Sequence, residues 1–331
     1  MPSTEAFQPI HPIAPWGTAE QVTDGQLARF AELIYRRAGI RVSPQKKTLL
    51  SNRLRRRLRE TGIKDFEHYY QHLAKLRPDD PEWDAFLQEI TTHETYLFRD
   101  EAQWRWFCRE FLAEVSGKAA LASGSDEAAS PQRPKSTPQL TFLKKPPAGF
   151  APGRTGNRFR SLRIWSAACS TGDEAITAAC CVAAHLPNLA QWDVRILGTD
   201  IGVGAIEQAQ SGVFGERAMH LVPPHYRQQF FTKAKDANVW QARPILMNLV
   251  SFRQHNLLDP LHEPPFDLVF LKNVLIYFDT ASKKTVVENV RRVIRPGGYL
   301  VAGAAEGVSD LVKDYVRLQP WLFRRPPDPD A

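Results

Sequence analysis

The spacing of apolar residues changes twice along this chain, and each change marks a boundary. From Thr23 to about Val115 the apolar positions recur at helical intervals. Thr23 precedes Leu27, Phe30, Leu33 and Ile34, a spacing that predicts a helix with Thr23 as its cap. Ser43-Pro44 is a cap and first-turn pair for a second helix, Pro44–Thr61, which Gly62 ends. Leu50, Leu54 and Leu58 then form an i, i+4, i+8 stripe able to dock on a core. Residues 117–160 lose all periodicity and read as a disordered linker, and the Pro-rich residues 1–20 read as a flexible tail. From Leu162 the pattern switches to alternation. Strands are predicted at Leu162–Ala168, Val194–Thr199, Leu249–Arg253, Leu268–Leu271 and Tyr299–Ala302, and helices at Asp173–His185, Gly202–Gln210 and Thr280–Val293. Such alternation predicts an α/β domain, 161–326, with a mostly parallel sheet covered by helices on both faces. An insert at about 212–248 interrupts it, and Asp314–Arg324 reads as a hairpin closing the sheet. The expected organisation is a helical domain, 21–116, then the linker, then the α/β domain.

A chain of 331 residues can hold both domains with separate cores. Its formal net charge of +7 favours acidic partners without choosing among nucleic acid, anionic lipid and protein. The basic character is uneven: eight Lys or Arg and no acid fall between Arg41 and Arg59. Cys108, Cys169, Cys180 and Cys181 show no C-x-x-C spacing, so neither a metal site nor a disulfide framework is expected. The first residues have no signal pattern and no apolar run is long enough to span a bilayer, which makes a cytoplasmic enzyme or binding protein the expectation.

Candidate chemistry gathers in three stretches. Arg163-Ile-Trp-Ser-Ala-Ala-Cys-Ser-Thr-Gly-Asp-Glu174 runs from a strand through a small-residue turn into an acidic helix start, the place where α/β proteins seat a nucleotide-like ligand. Ala168, Ser170 and Thr171 stand where glycines are common in such turns. Downstream, Ile196-Leu-Gly-Thr-Asp200 ends a strand in a carboxylate able to accept both hydroxyls of a ribose, or to cap the helix after Gly202. Upstream lies Thr91-Thr-His-Glu-Thr-Tyr-Leu-Phe-Arg-Asp100, whose Arg99 carries a planar fork suited to a carboxylate or to a surface ion pair with Asp100 or Glu101.

Together with Ser51-Asn-Arg-Leu-Arg-Arg-Arg-Leu58, Phe266–Asp279, Arg295-Pro-Gly-Gly298 and Gly303-Ala-Ala-Glu306, these stretches occur in an order that resembles the chemotaxis receptor methyltransferases of the CheR type. The resemblance runs from about Leu27 to Arg324, outside the linker. It implies a small all-helical domain joined to a class I methyltransferase domain with a β-rich insert. It also implies transfer of methyl from S-adenosyl-L-methionine to receptor glutamates, leaving S-adenosyl-L-homocysteine.

By the same resemblance Glu174 and Asp200 are cofactor contacts, Asn256 and Leu257 meet adenine, and Asn273 and Val274 hold polar groups of the cofactor. His93, Thr95 and Arg99 join them, Arg99 gripping either the cofactor's carboxylate or the substrate glutamate. Tyr277 is placed to face the sulfonium methyl, a cation–π arrangement. Read without the resemblance, Glu174 is a helix-dipole partner, Asn256 a strand-end turn residue and Tyr277 a core aromatic. Arg53, Arg55, Arg56 and Arg59 are expected to steer the acidic helical methylation region of a receptor. Two departures stand out: Lys272 where Arg is usual, and a segment Phe231–Met247 without the glycine of relatives that dock on a receptor's C-terminal tether peptide. The second implies independence from such a tether. Rival readings are a nucleic-acid methyltransferase and a non-catalytic cofactor-binding scaffold. The run Asn273-Val-Leu-Ile-Tyr277 differs from the Pro-Pro-Tyr motif of base amino-methylation, and no aromatic-basic stacking platform is visible.

Overall fold

The computed structural model describes residues 21–117, 160–235, 238–303 and 306–327. The expected tail at 1–20 and all but the ends of the expected linker at 117–160 lie outside the described residues.

Helices α1 (Asp24–Ala38), α2 (Lys47–Thr61), α3 (Phe66–Lys75) and α4 (Pro81–Ile90) build the helical part around Phe30, Ile34, Leu54, Tyr69, Leu73 and Phe86. Thr23 and Gln26 form a capping box at the start of α1, and Gly39 and Gly62 end α1 and α2 in the left-handed conformation that glycine adopts without steric cost. Ser43 makes no side-chain cap bond: Pro44–Lys46 is a separate tight turn, so α2 begins at Lys47 rather than at Pro44. The irregular segment 91–100 leads into α5 (Glu101–Trp106), a wide π-type turn at Phe107–Phe111 and α6 (Leu112–Ser116).

The second part opens with β1 (Arg160–Ala167), α7 (Asp173–His185), β2 (Trp192–Asp200) and α8 (Val203–Ser211). The insert follows as β3 (Val213–Gly215), α9 (Glu216–Met219), α10 (Pro224–Phe230), β4 (Phe231–Lys233), β5 (Val239–Ala242) and α11 (Pro244–Met247). Then come β6 (Val250–Gln254), β7 (Phe266–Leu271), α12 (Thr280–Val293), β8 (Ile294–Ala302), β9 (Val316–Gln319) and β10 (Leu322–Arg324). The main sheet has the order β6-β2-β1-β7-β8-β10-β9, parallel except at the β10 pairings, and the insert forms its own antiparallel sheet, β3-β5-β4. Every residue of β7 is buried, as expected of a central parallel strand covered on both faces. The strand predicted at Tyr299–Ala302 starts earlier, at Ile294, because Arg295–Gly298 is carried as an irregularity within β8 opposite Phe266–Leu268.

Strand order reverses between β1 and β7, and ligands of open α/β sheets bind in the crevice at such a switch point. The helical part closes over that crevice. Arg41 N–H donates to Tyr277 O at 2.9 Å, Ile40 bridges to Phe278, and Tyr35 Oη donates to Asp279 Oδ2 at 3.0 Å. On the other side a Cβ on Gly202 would stand 2.4 Å from Gln88 Oε1, so only glycine lets α4 approach the start of α8 this closely.

Candidate active site

A cleft of about 1250 Å³, its open mouth included, lies between the helical part and the carboxyl ends of β1, β2 and β7. Its floor is the turn after β1. Ala168 and Ser170 there have φ of 61° and 52°, the left-handed region where an L side chain is strained and where glycine is the common choice. The turn points backbone N–H groups inward. Ser170 N–H donates to Asp200 Oδ2 at 2.8 Å, which ties the ends of β1 and β2 together.

Asp200 is 6% exposed and lines the cleft. Its Oδ1 accepts from Gly202 N–H at 2.9 Å, so the local turn role and a ligand role coexist: each carboxylate oxygen spends one lone pair on the protein and keeps another. Glu174, in the first turn of α7, accepts from Ser166 Oγ at 2.7 Å and pairs with Lys272 Nζ at 3.4 Å. The same ammonium, 3% exposed, pairs with Asp100 Oδ2 at 3.0 Å, and so joins the segment after α4 to the cofactor-side helix.

That segment carries His93, Thr95 and Arg99, and all three line the cleft. Phe98 and Asp100 on either side of Arg99 have φ of 60° and 65°, a twist that turns the Arg99 side chain. Its guanidinium lies 5.6 Å from the Tyr96 ring centroid. Among the described residues Arg99 forms no ion pair: Asp100 is taken by Lys272 and Glu101 by Arg105, which removes the surface-pair alternative. His93 accepts or donates at 2.6 Å to Thr91 Oγ1 through Nε2, and its Nδ1 lies 3.7 Å from Asp200 Oδ1. Burial and the nearby Arg53 push its pKa down, Asp200 opposing, so the ring is neutral at pH 7.

Asn273, at φ 59°, Val274 and Tyr277 follow β7 and also face the cleft. Tyr277 is half-buried rather than a core aromatic, with Lys46 Nζ 5.3 Å from its ring centroid. Asn256 and Leu257 line the cleft after β6, but the Asn256 side chain is used by the protein. Its Nδ2 donates to Arg37 O at 2.8 Å and its Oδ1 accepts from Leu258 N–H at 3.1 Å, the turn role expected of an isolated strand-end Asn.

The four arginines expected to meet an acidic partner separate. Arg53 turns inward, lines the cleft and donates to Thr92 Oγ1 at 3.0 Å and to Ile90 O. Arg56 pairs with Glu89 at 3.4 Å, Arg55 bonds Asn52, and Arg59 is exposed, all three outside the cleft. Arg57 between them is buried against Glu82 at 2.6 Å and belongs to the helical core.

Two cleft residues escaped the sequence reading. Ser170 Oγ and His255 Nε2 are buried and have no partner among the described residues. Ser170 was legible only as a turn residue, and His255 had no signal beyond standing next to Asn256. These orphaned polar atoms, the spare lone pairs of Asp200 and the unpaired Arg99 fit a ligand with a ribose, a heterocycle and a carboxylate. S-adenosylmethionine has all of these. Among the described residues no cluster of His, Cys, Asp or Glu could hold a metal, and no helix is long and apolar enough to cross a membrane.

Comparison with known proteins agrees with this geometry. Residues 25–91 match the family described as CheR methyltransferase, all-alpha domain, and residues 151–320 match CheR methyltransferase, SAM binding domain. The chain is 28% identical to the chemotaxis protein methyltransferase of Salmonella typhimurium, over 89% of this chain and 88% of that one. It is 29% identical to the chemotaxis protein methyltransferase of Escherichia coli, over 89% and 88%, and 25% identical to that of Borreliella burgdorferi, over 87% and 89%. With both domains matched in order along the chain, it belongs to the CheR family of S-adenosylmethionine-dependent methyltransferases.

Proposed function

We propose that this protein methylates glutamate side-chain carboxylates on chemoreceptors, forming protein glutamate methyl esters, with Arg99 and Tyr277 at the point of transfer. The observation that carries the reading is the convergence of Arg99, Asn273 and Tyr277 with Glu174 and Asp200 on one cleft, under a rim supplied by basic α2. S-adenosylmethionine supplies an electrophilic methyl on a sulfonium sulfur. A glutamate, with a free pKa of about 4.3, arrives already ionised and needs no general base. The work left to the protein is alignment of oxygen, methyl and sulfur, and removal of water from the carboxylate.

In this reading Asp200 accepts the ribose hydroxyls, and Glu174, Asn273, Val274, His93 and Thr95 hold the amino-acid end and its surroundings. Because the Asn256 side chain is already engaged, adenine is met by the backbone at Asn256 and by the Leu257 side chain. Arg99, free of ion pairs among the described residues, serves one of the two carboxylates. Arg53 meets the substrate at the mouth, while Arg55, Arg56 and Arg59 act at longer range on an acidic helical methylation region. The work is cytoplasmic and needs no receptor tether peptide, in keeping with the glycine-free segment Phe231–Met247.

The test is transfer of labelled methyl from S-adenosylmethionine to membranes containing chemoreceptors, read as base-labile label released as methanol. Release from a receptor-sized band is expected. Cofactor binding without any such release would overturn the acceptor assignment in favour of a scaffold or another acceptor, and label on nucleic acid would favour the base-methylating rival.

A further inference from the structure

The stretch Gly303–Glu306 was singled out by the sequence but has no part in the chemistry above. Glu306 lies beyond the end of β8, beside the end of β7, and is 1% exposed. Its Oε1 accepts from Val274 N–H at 3.1 Å, a bond that reaches from beyond β8 to the turn after β7. Its Oε2 has no partner among the described residues. Lys283 Nζ, from α12, reaches the Glu306 backbone carbonyl at 3.3 Å and not the carboxyl.

The Val274 N–H belongs to the turn that carries Asn273 and leads to Tyr277. Asn273 sits at φ 59°, in the left-handed region that Asn enters more readily than other L residues. No strand pairs with residues 273–276, so without Glu306 the Val274 N–H would lose its acceptor. The room for that acceptor is made by Gly303: a Cβ there would stand 2.9 Å from Glu306 Cγ and Oε1, and 3.4 Å from Asn273 N.

We propose that Glu306 is a positioning residue for methyl transfer: its carboxyl holds the turn after β7 through Val274 N–H and thereby sets Asn273 and Tyr277 on the cleft. It touches neither cofactor nor acceptor. The proposal rests on the methyltransferase reading but not on the acceptor's identity, because binding of S-adenosylhomocysteine can be measured with no acceptor present.

The experiment compares Glu306→Gln, which keeps the Oε1 acceptor, with Glu306→Ala, which removes it, and with Gly303→Ala, which crowds it, all in the full chain. Calorimetric titration with S-adenosylhomocysteine is paired with thermal unfolding, and with kcat and KM for methyl transfer once an acceptor is in hand. Glu306→Ala and Gly303→Ala should weaken binding at least tenfold, and Glu306→Gln should restore it to within threefold of the parent. Folded Glu306→Ala binding as tightly as the parent would overturn the proposal. So would a folded Glu306→Gln as impaired as Gly303→Ala, since the acceptor atom would then not matter. Should Glu306→Ala fail to fold, the Gln and Gly303 variants decide the matter alone.

Discussion

Lys272→Met tests the junction between the two halves of the cleft. The ammonium is 3% exposed and stands 3.0 Å from Asp100 and 3.4 Å from Glu174. At an effective dielectric of about 20 each attraction is roughly 5 kcal/mol, before several kcal/mol of desolvation are charged against the lysine. The pairs are unequal. Asp100 is 42% exposed and is screened by water, whereas Glu174 is 15% exposed and depends more on its partner. Methionine fills the space of the lysine stem but leaves Glu174 charged, with Ser166 Oγ its one remaining partner among the described residues. Breaking a buried pair in this one-sided way costs about 3 kcal/mol or more. The loss should show as a lower midpoint in urea unfolding followed by tryptophan fluorescence, together with about tenfold weaker binding of S-adenosylhomocysteine as Glu174 and the Arg99 segment separate. Lys272→Arg keeps the charge and should stay within about 1 kcal/mol of the parent. A Lys272→Met protein as stable as the parent and binding equally well would refute the reasoning, because the ammonium would then be a bystander.

Asp173 is 1% exposed, and burial pushes its carboxyl up to about 6, Thr171 opposing. Its folded pKa exceeds the unfolded value of about 3.9, so its contribution is full below about pH 4 and is lost as pH rises through about 6. Asp173→Asn should therefore gain stability over the parent by up to about 3 kcal/mol at pH 7.5, and much less at about pH 4.5. Equal differences at the two pH values in denaturant unfolding would show that the carboxyl does not titrate in this window. His93→Ala should weaken cofactor binding yet keep the shape of the rate–pH profile between about pH 7 and 8, since burial holds the ring's pKa below its ordinary value. Disappearance of a rate pKa in that range would make His93 a base after all. Reversing Arg55 and Arg59 to Glu should lower the rate on receptor membranes roughly tenfold at low salt, with the difference closing as salt shortens the Debye length. An unchanged rate, or a parent rate indifferent to salt, would remove the steering role.

Much of this molecule was legible from spacing alone. The bounds of α7 and α12 follow directly from apolar periodicity and their flanking residues, and the capping box at Thr23 is a purely local signal. Glu174, Asp200, Asn256, Asn273 and Tyr277 were legible as cleft residues because each follows a predicted strand, where topology delivers side chains to a crevice, whereas His93, Thr95 and Arg99 were placed there by the family resemblance. Local patterns were less informative where the outcome depends on distant partners. Ser43 looked like a cap, but Pro44–Lys46 forms its own turn and α2 starts later. The four arginines of α2 looked equivalent, yet Arg53 turns into the cleft because Ile90 O at the end of α4 and Thr92 Oγ1 just after it offer it acceptors.

By itself, then, the order of residues determined the elements, the alternation that makes a parallel sheet, and the strand ends that line the cleft. Those properties depend on periods of a few residues and on turns that any local stretch can encode. Only the tertiary structure decided that Lys272 would bridge Asp100 and Glu174, and that Asn256 would spend its side chain on Arg37 O and Leu258 N–H. It likewise decided that Glu306 would reach back to the turn after β7. These partners lie up to 219 positions apart in the chain, and a polar side chain chooses among acceptors by distance and burial in space.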